Sequence, residues 1–314
     1  MSSRRYRIKV STNFPDWPLA RQLPGDGKKW GQCDFFINKE IGDCDAWFVV
    51  EGLTQAESTI CPSENVILLA LEPPGIKQYD QKWTRKFGAV IGFQKGIHSQ
   101  MLSFPAVLPW WVGKNYDDLI VESFPQKTKM VSAIFSSKKT THGHRQRFHN
   151  LNSLLPDGLF EAYGRGFQPL EDKWDGLAPY YYSVVVENSC YPNYWTEKIA
   201  DCFLSGTVPI YCGCPDILNY FPKESLLLFD ISSPDTLRSM IQKQCSPADY
   251  ASRLTAIREA KRRVLHEYNL FKIMSDITSY LPERKGDSLV TLSPEPPPHY
   301  LKRRYTKLRN RLPL

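Results

Sequence analysis

The stretch "VVVENSCYPNYWTEK", residues 184–198, sets a polar cluster between an apolar run and a helical pattern. Thr196 is a residue type that caps helices and Gly206 one that ends them, so the spacing predicts a helix between them. The first N–H groups of a helix lack intrahelical partners, and its dipole is positive there. An anion binds naturally at such a point. Lys198 falls in the first turn, where a cation opposes the dipole, and a phosphate ligand would account for it. Glu197 beside it could accept hydrogen bonds from a ribose hydroxyl, and Tyr194 could lie against a flat base. Glu187 and Asn188, at the end of the apolar run, complete a candidate nucleotide-diphosphate site. The competing reading is a surface helix start with a solvated lysine, because one strand–helix turn is a weak signal.

Such a site needs a strand before it and a sheet around that strand. Short apolar runs bounded by turn residues recur along the chain: "RYRIKVS", "DAWFVVEG", "NVILLALE" and "GAVIGF", then "MVSAIFSS", "LFEAYGRG", "SVVVEN", "VPIYCG" and "SLLLFD". Runs of this kind, with longer connections between them, predict parallel sheets covered by helices, an α/β class. Residues 114–129 read as a linker, and residues 234–281 as helical. The expected organisation is a Rossmann-like domain over residues 1–125, a second over 126–285, and a Pro-rich hinge with a basic tail over 286–314. Two such sheets facing each other would hold a ligand beyond the carboxyl ends of their strands.

The chain has 314 residues, long enough for two cores, and a net charge of +7. Lys302, Arg303, Arg304, Lys307, Arg309 and Arg311 cluster in the last stretch without an acid. A basic tail on a near-neutral body argues against a nucleic-acid-binding body, which would carry a basic face. The tail could instead approach anionic lipid. No apolar run is long enough to span a membrane. The eight cysteines follow no metal-binding spacing and read as reduced, buried thiols. "DCD" at residues 43–45 resembles a metal motif but reads as a turn before a strand.

The block also resembles the signature of the α1,3/α1,4-fucosyltransferases, glycosyltransferase family ten. The matching pieces are Glu187-Asn188-Ser189, Tyr194, Thr196-Glu197-Lys198 and Val208-Pro209-Ile210-Tyr211, with Gly213 and Pro215. The resemblance implies a GT-B fold, two Rossmann-like domains across a cleft, and inverting transfer of L-fucose from GDP-fucose to a glycan hydroxyl, of the α1,3 type. It implies that Tyr194 contacts the nucleotide, and that Glu197 and Lys198 hold ribose and pyrophosphate. An arginine early in the first helix of the nucleotide domain should grip the phosphates; Arg145 is the first choice and Arg147 the second. Inverting transfer needs a base on the acceptor side, and Glu72 in "EPPG", after an apolar strand, matches the family's position for it. No metal cofactor is required on this reading, though a divalent cation could stimulate. The layout resembles bacterial members, which are cytoplasmic and approach membranes through a basic tail.

Overall fold

The computed structural model describes residues 4–105, 108–121, 123–137, 142–282 and 288–297, the side chains of residues 142–144 excepted. Its apolar runs form two open sheets. The first contains β1 (Tyr6–Thr12), β2 (Lys29–Trp30), β3 (Cys33–Ile37), β4 (Ala46–Val50), β6 (Val66–Ala70), β7 (Ala89–Gly92) and β8 (Met101–Ser103). Their order is β2-β3-β1-β4-β6-β7-β8, and every pairing is parallel except β2 with β3. All five residues of β4 and of β6 are buried, the mark of strands covered on both faces. β5 (Glu57–Cys61) stands outside this sheet, and α1 (Gln81–Thr84) is a single turn capped by Asp80.

The linker contains a short helix, α2 (Tyr116–Val121). The second sheet follows, in the order β10-β9-β11-β12-β13, parallel throughout. Its strands are β9 (Lys129–Ile134), β10 (Glu161–Tyr163), β11 (Tyr180–Val186), β12 (Val208–Cys212) and β13 (Leu227–Leu228). Helix α3 (His142–Ser153) joins β9 to β10, and α4 (Glu197–Leu204) joins β11 to β12. In each sheet the chain goes to one side of a strand and then to the other: β1 has β3 and β4 as neighbours, and β9 has β10 and β11. At such switch points the connections diverge and leave a crevice at the carboxyl edge.

Residues 234–281 are helical as expected, in three pieces: α5 (Pro234–Gln244), α6 (Pro247–His266) and α7 (Leu270–Tyr280). The third departs from the expected division at residue 285. Leu270, Phe271, Ile273 and Met274 of α7 pack with Ile8, Val10, Phe35 and Phe48 of the first sheet. The crossing is fixed by Asn269, which caps α7 and donates to the Gln22 carbonyl, while Gln22 Oε1 accepts the Leu270 amide. The amphipathic pattern announced a buried face without saying which sheet buries it. The stretch expected as hinge also holds a strand, β14 (Ser288–Leu292), antiparallel to β5. The basic tail lies outside the described residues.

All eight cysteines are free. Asp43 sits in a β-bridge with Ile60 and Asp45 in a bend, paired with Arg7 and Arg4 respectively, and among the described residues no group of His, Cys, Asp and Glu could hold a metal ion. No described helix is long and apolar enough to cross a membrane.

Phe271 is fully buried and meets Phe35 edge-on at 4.9 Å. If α7 is part of the first core, Phe271→Ala should lower unfolding free energy by about 3–5 kcal/mol. Urea denaturation measures this; a loss below about 1 kcal/mol would show that α7 docks only loosely.

Candidate active site

The carboxyl edge of the second sheet is built around Glu187, the residue after β11. It is 4% exposed. Oε1 accepts the Thr196 amide at 2.9 Å, and Oε2 accepts from the Thr196 hydroxyl at 2.8 Å and from Lys198 Nζ at 3.1 Å. This approach requires a glycine opposite: a Cβ on Gly213 would lie 2.5 Å from Glu187 Cγ and 2.6 Å from the Tyr211 hydroxyl. Thr196 in turn caps α4 through Lys198 N, and the Lys198 ammonium donates to the Thr196 hydroxyl at 3.0 Å. Glu187 therefore holds the start of α4 and aims Lys198; both its oxygens are engaged by protein.

From Lys198 a line of alternating charge runs along α4. Glu197 lies 3.6 Å from Lys198 and 3.3 Å from Lys173, and Lys173 lies 2.8 Å from Asp201. Burial works to raise the Glu197 carboxyl, but Lys198 and Lys173 outweigh it and bring it down to about 2. Burial raises Asp201 to about 6 against the pull of Lys173. The other Asp201 oxygen accepts the Trp111 amide at 2.9 Å, which ties the segment just before the linker to α4. Sequence reasoning missed Lys173 and Asp201. Asp201 follows Glu197 by one helical turn, which was a usable signal; Lys173 sits in an irregular connection and gave none.

The two arginines of α3 differ. Arg145 is exposed. Arg147 is 6% exposed and donates from Nη1 to Asn188 Oδ1 at 2.8 Å and more weakly to the Val186 carbonyl. Its Nε is buried with no hydrogen-bond partner. Burial depresses its basicity while Glu187 and Glu197 oppose that. The arginine bonded to Asn188 is thus the second choice of the sequence. Residues 145 and 147 lie about 200° apart around a helix, so they face different surroundings.

Tyr194 is 2% exposed, with its ring centroid 5.7 Å from that of Phe93 beyond β7. It packs with the first sheet's core rather than offering the open face expected for base stacking. Burial, then Glu187 and Glu72, raise its hydroxyl pKa well above the ordinary value. Asn193, held at φ 63°, and Asp216, which accepts the Asn193 amide, shape the loop that delivers this ring.

Glu72 approaches from the first sheet, two residues after β6. Burial raises its carboxyl to about 7, and Glu51 adds to the rise; Lys198 lowers it, Glu197 raises it and Lys77 lowers it. Groups from both sheets therefore act on one carboxylate. Gly75, in the same loop, comes within reach of Ser189: a Cβ there would lie 3.9 Å from its hydroxyl oxygen. Behind Glu72 stands Glu51, 1% exposed and at φ 66°, another strand-end acid that sequence reasoning passed over. Glu51 Oε1 accepts from the Leu71 amide at 2.5 Å and the Tyr79 hydroxyl at 2.6 Å, and Tyr79 accepts the Glu72 amide at 3.3 Å. Gln94 donates to the Glu72 carbonyl at 2.6 Å. The loop bearing Glu72 is thereby fixed by three side chains.

A half-buried carboxyl on one sheet thus lies within electrostatic reach of Lys198 and Glu197 on the other, where the buried Arg147 has an Nε without a partner. Residues 124–252 match the family described as Glycosyltransferase family 10 (fucosyltransferase) C-term. Over 129 residues the chain is 29% identical to the 4-galactosyl-N-acetylglucosaminide 3-alpha-L-fucosyltransferase 9 of Mus musculus, covering 38% of this chain and 34% of that protein. Among solved structures, an alpha1,3-fucosyltransferase crystallised with GDP is similar at a TM-score of 0.51 and 16% identity, covering 84% of this chain and 92% of that one. An alpha-glucosyltransferase in complex with UDP and DNA is similar at a TM-score of 0.52 and 9% identity, covering 87% and 100%. The fold is GT-B, and residues 124–252 are similar to the C-terminal part of glycosyltransferase family 10.

Proposed function

We propose that this chain is an inverting fucosyltransferase, moving L-fucose from GDP-fucose to a glycan hydroxyl in an α1,3-type linkage. The observation that carries the proposal is geometric: the Glu72 loop of one sheet approaches the loop after β11 of the other at Gly75 and Ser189, and Lys198 and Glu197 act on Glu72 across that approach. The family match and the name of the mouse relative support the sugar and the linkage.

In the proposed reaction the diphosphate lies against Lys198, Arg147 and the start of α4. As the bond from the fucose anomeric carbon to the diphosphate oxygen breaks, negative charge grows on that oxygen. Fixed cations and helix N–H groups stabilise it without reorganising. The acceptor hydroxyl attacks the opposite face of the sugar, and its proton passes to Glu72. A carboxyl near 7 suits this role, because a base is most effective when its pKa lies close to the working pH. Glu197 orients a ribose hydroxyl, and Lys173 keeps Glu197 ionised. Asn188 and Glu187 position Arg147 and Lys198. Arg147, rather than the exposed Arg145, is the α3 arginine of this proposal. These cations supply the positive charge, so the proposed reaction requires no metal.

Isothermal calorimetry with GDP, and product assays with GDP-fucose, GDP-mannose and UDP-sugars, test the donor. No binding of GDP would sink the proposal. Lys198→Ala should weaken GDP binding at least roughly tenfold, the cost of losing a charge-assisted hydrogen bond. Glu72→Gln should bind GDP as the parent does and lose about a hundred- to ten-thousandfold in turnover. Parent-like turnover in that variant would place the base elsewhere.

Activity should also rise with pH through about 7 as Glu72 loses its proton. Lys198 lowers the Glu72 pKa and a bound diphosphate offsets that charge. The limb in kcat, which reports the complex, should therefore lie at higher pH than the limb in kcat/KM for the donor. Coincident limbs, or a limb unchanged in Glu72→Gln, would remove Glu72 from the titration. Transfer should persist in EDTA; abolition that added Mg²⁺ or Mn²⁺ restores would make the reaction metal-dependent.

A further inference from the structure

A cavity of about 300 Å³ lies between the two connections that join the sheets. Leu119, Ser123 and Phe124 line it from the linker, and Arg258, Lys261, Arg262 and Leu265 from the C-terminal half of α6. The end of α6 leads into the second crossing at Asn269. Beside the cavity the Tyr116 hydroxyl lies 3.1 Å from His266 Nδ1, a contact from one crossing to the other. The Phe124 ring is firmly seated. It packs on Gly206, just past α4, where a Cβ would lie 2.4 Å from the ring's Cγ. The cavity therefore sits at the opposite end of α4 from Lys198.

Among the described residues that line it none is acidic. Arg258, Lys261, Arg262 and Leu265 recur at i, i+3, i+4 and i+7, one face of the helix. Like charges at these spacings repel each other. The helix dipole favours cations only in the last turn, which holds Arg263 and His266. Glu259 and Glu267 pair with Arg262. Arg258 and Lys261 instead share one ring: the Arg258 guanidinium carbon lies 5.9 Å and Lys261 Nζ 5.2 Å from the Phe124 centroid. Lys261 is 9% exposed, a depth at which a charge is costly. An anion in the cavity would relieve both the repulsion and the burial. Leu119 and Leu265 are buried and give an apolar floor, while Ser123 is exposed and brings a hydroxyl from the linker. Three cations, one hydroxyl and an apolar floor suit a multivalent oxyanion on a carbon skeleton, and guanidinium forks match phosphate oxygens.

We propose that this cavity is a second, separate anion site that binds a phosphate monoester: Arg258, Lys261 and Arg262 hold the phosphate, Ser123 donates to it from the linker, and Leu119 and Leu265 receive the organic part. The site is independent of the donor nucleotide and stands whether or not the chain transfers fucose. A ligand touching α6 and the linker at once bridges the two crossings. The same chemistry can come from a free phosphate ester or from a lipid headgroup. Ile120 and Val121, 46% and 80% exposed beside the cavity, would meet the acyl chains in the second case.

The test titrates the full chain in a calorimeter with inorganic phosphate and with glycerol 3-phosphate, in excess GDP so that a donor site is filled. In parallel, flotation measures capture by phosphatidylcholine vesicles with and without phosphatidic acid. Arg258→Gln, Arg262→Gln and the cavity-filling Ser123→Trp all change exposed positions, and parent-like urea midpoints would show that they fold. Each should weaken binding roughly tenfold, the scale of one charge-assisted hydrogen bond. Lys198→Ala should bind as the parent does, which separates this site from the start of α4. Saturable binding of the free esters, weakened by the three variants, assigns the site to a small phosphate ester. Capture by phosphatidic acid vesicles alone, weakened by the same variants, assigns it to a lipid headgroup. No saturable binding of any probe overturns the proposal. So does binding that the folded variants leave at the parent's strength, or that Lys198→Ala abolishes.

Discussion

Glu187 carries its charge at 4% exposure, where an ion survives only when it is paired and hydrogen-bonded. The pairing determines much of the second sheet's edge. Thr196 meets it with both amide and hydroxyl, so the first residue of the loop after β11 and the last before α4 are bound together across the turn. Lys198 meets it from the first helical turn. Gly213 must lack a side chain for Glu187 to fit, which couples the turn after β12 to the same carboxylate. The alternating charges from Lys198 through Glu197 and Lys173 to Asp201 then carry this order to Trp111, just before the interdomain linker. Removing one member would leave a neighbour buried and unpaired, which is costlier than never having built the pair.

The two sheets are joined twice. The linker crosses once, pinned just before its start at Trp111, and the chain crosses again between α6 and α7, pinned by Asn269 on Gln22. Aromatic rings fill the ground between: Trp195 meets Phe221 and Tyr268 at 5.0 and 5.3 Å, and Tyr194 meets Phe93. Tyr194 thus serves the interface between the halves. A carboxylate that must reach across from one sheet to a bond held on the other needs its distance set, and packed rings at the junction set it.

What was legible in the sequence follows from which signals are local. The β4 and β6 runs are apolar at every position, so their burial was plain, and Lys198 stood out because a cation in a first turn contradicts local preference; Glu72 was picked out by the family resemblance. The short strands β2 and β8 carry few residues and gave no period. Helix α7 has a clear apolar face, but periodicity cannot name the sheet that receives it. Arg147 and Arg145 have the same chemistry two residues apart, and only the rotation of α3 separates them. Glu51 could have been read: like Glu72 it closes an apolar run, yet its role depends on Leu71, Lys77 and Tyr79, which come later in the chain.

A lysine already paired with Glu187 and close to Glu197 looks spent as a phosphate ligand, but its geometry says otherwise. An ammonium has three donors. Two go to Glu187 Oε2 at 3.1 Å and to the Thr196 hydroxyl at 3.0 Å. The Glu197 contact, at 3.6 Å, is too long for a good hydrogen bond. A phosphate oxygen could therefore accept from the third N–H without dislodging Glu187. Binding would complete this network instead of dismantling it. In the proposed reaction the acids around Lys198 would have two effects: they would hold the ammonium in place before the anion arrives, and they would offset its charge, so that charge appearing on a leaving group would meet cations whose orientation is already fixed.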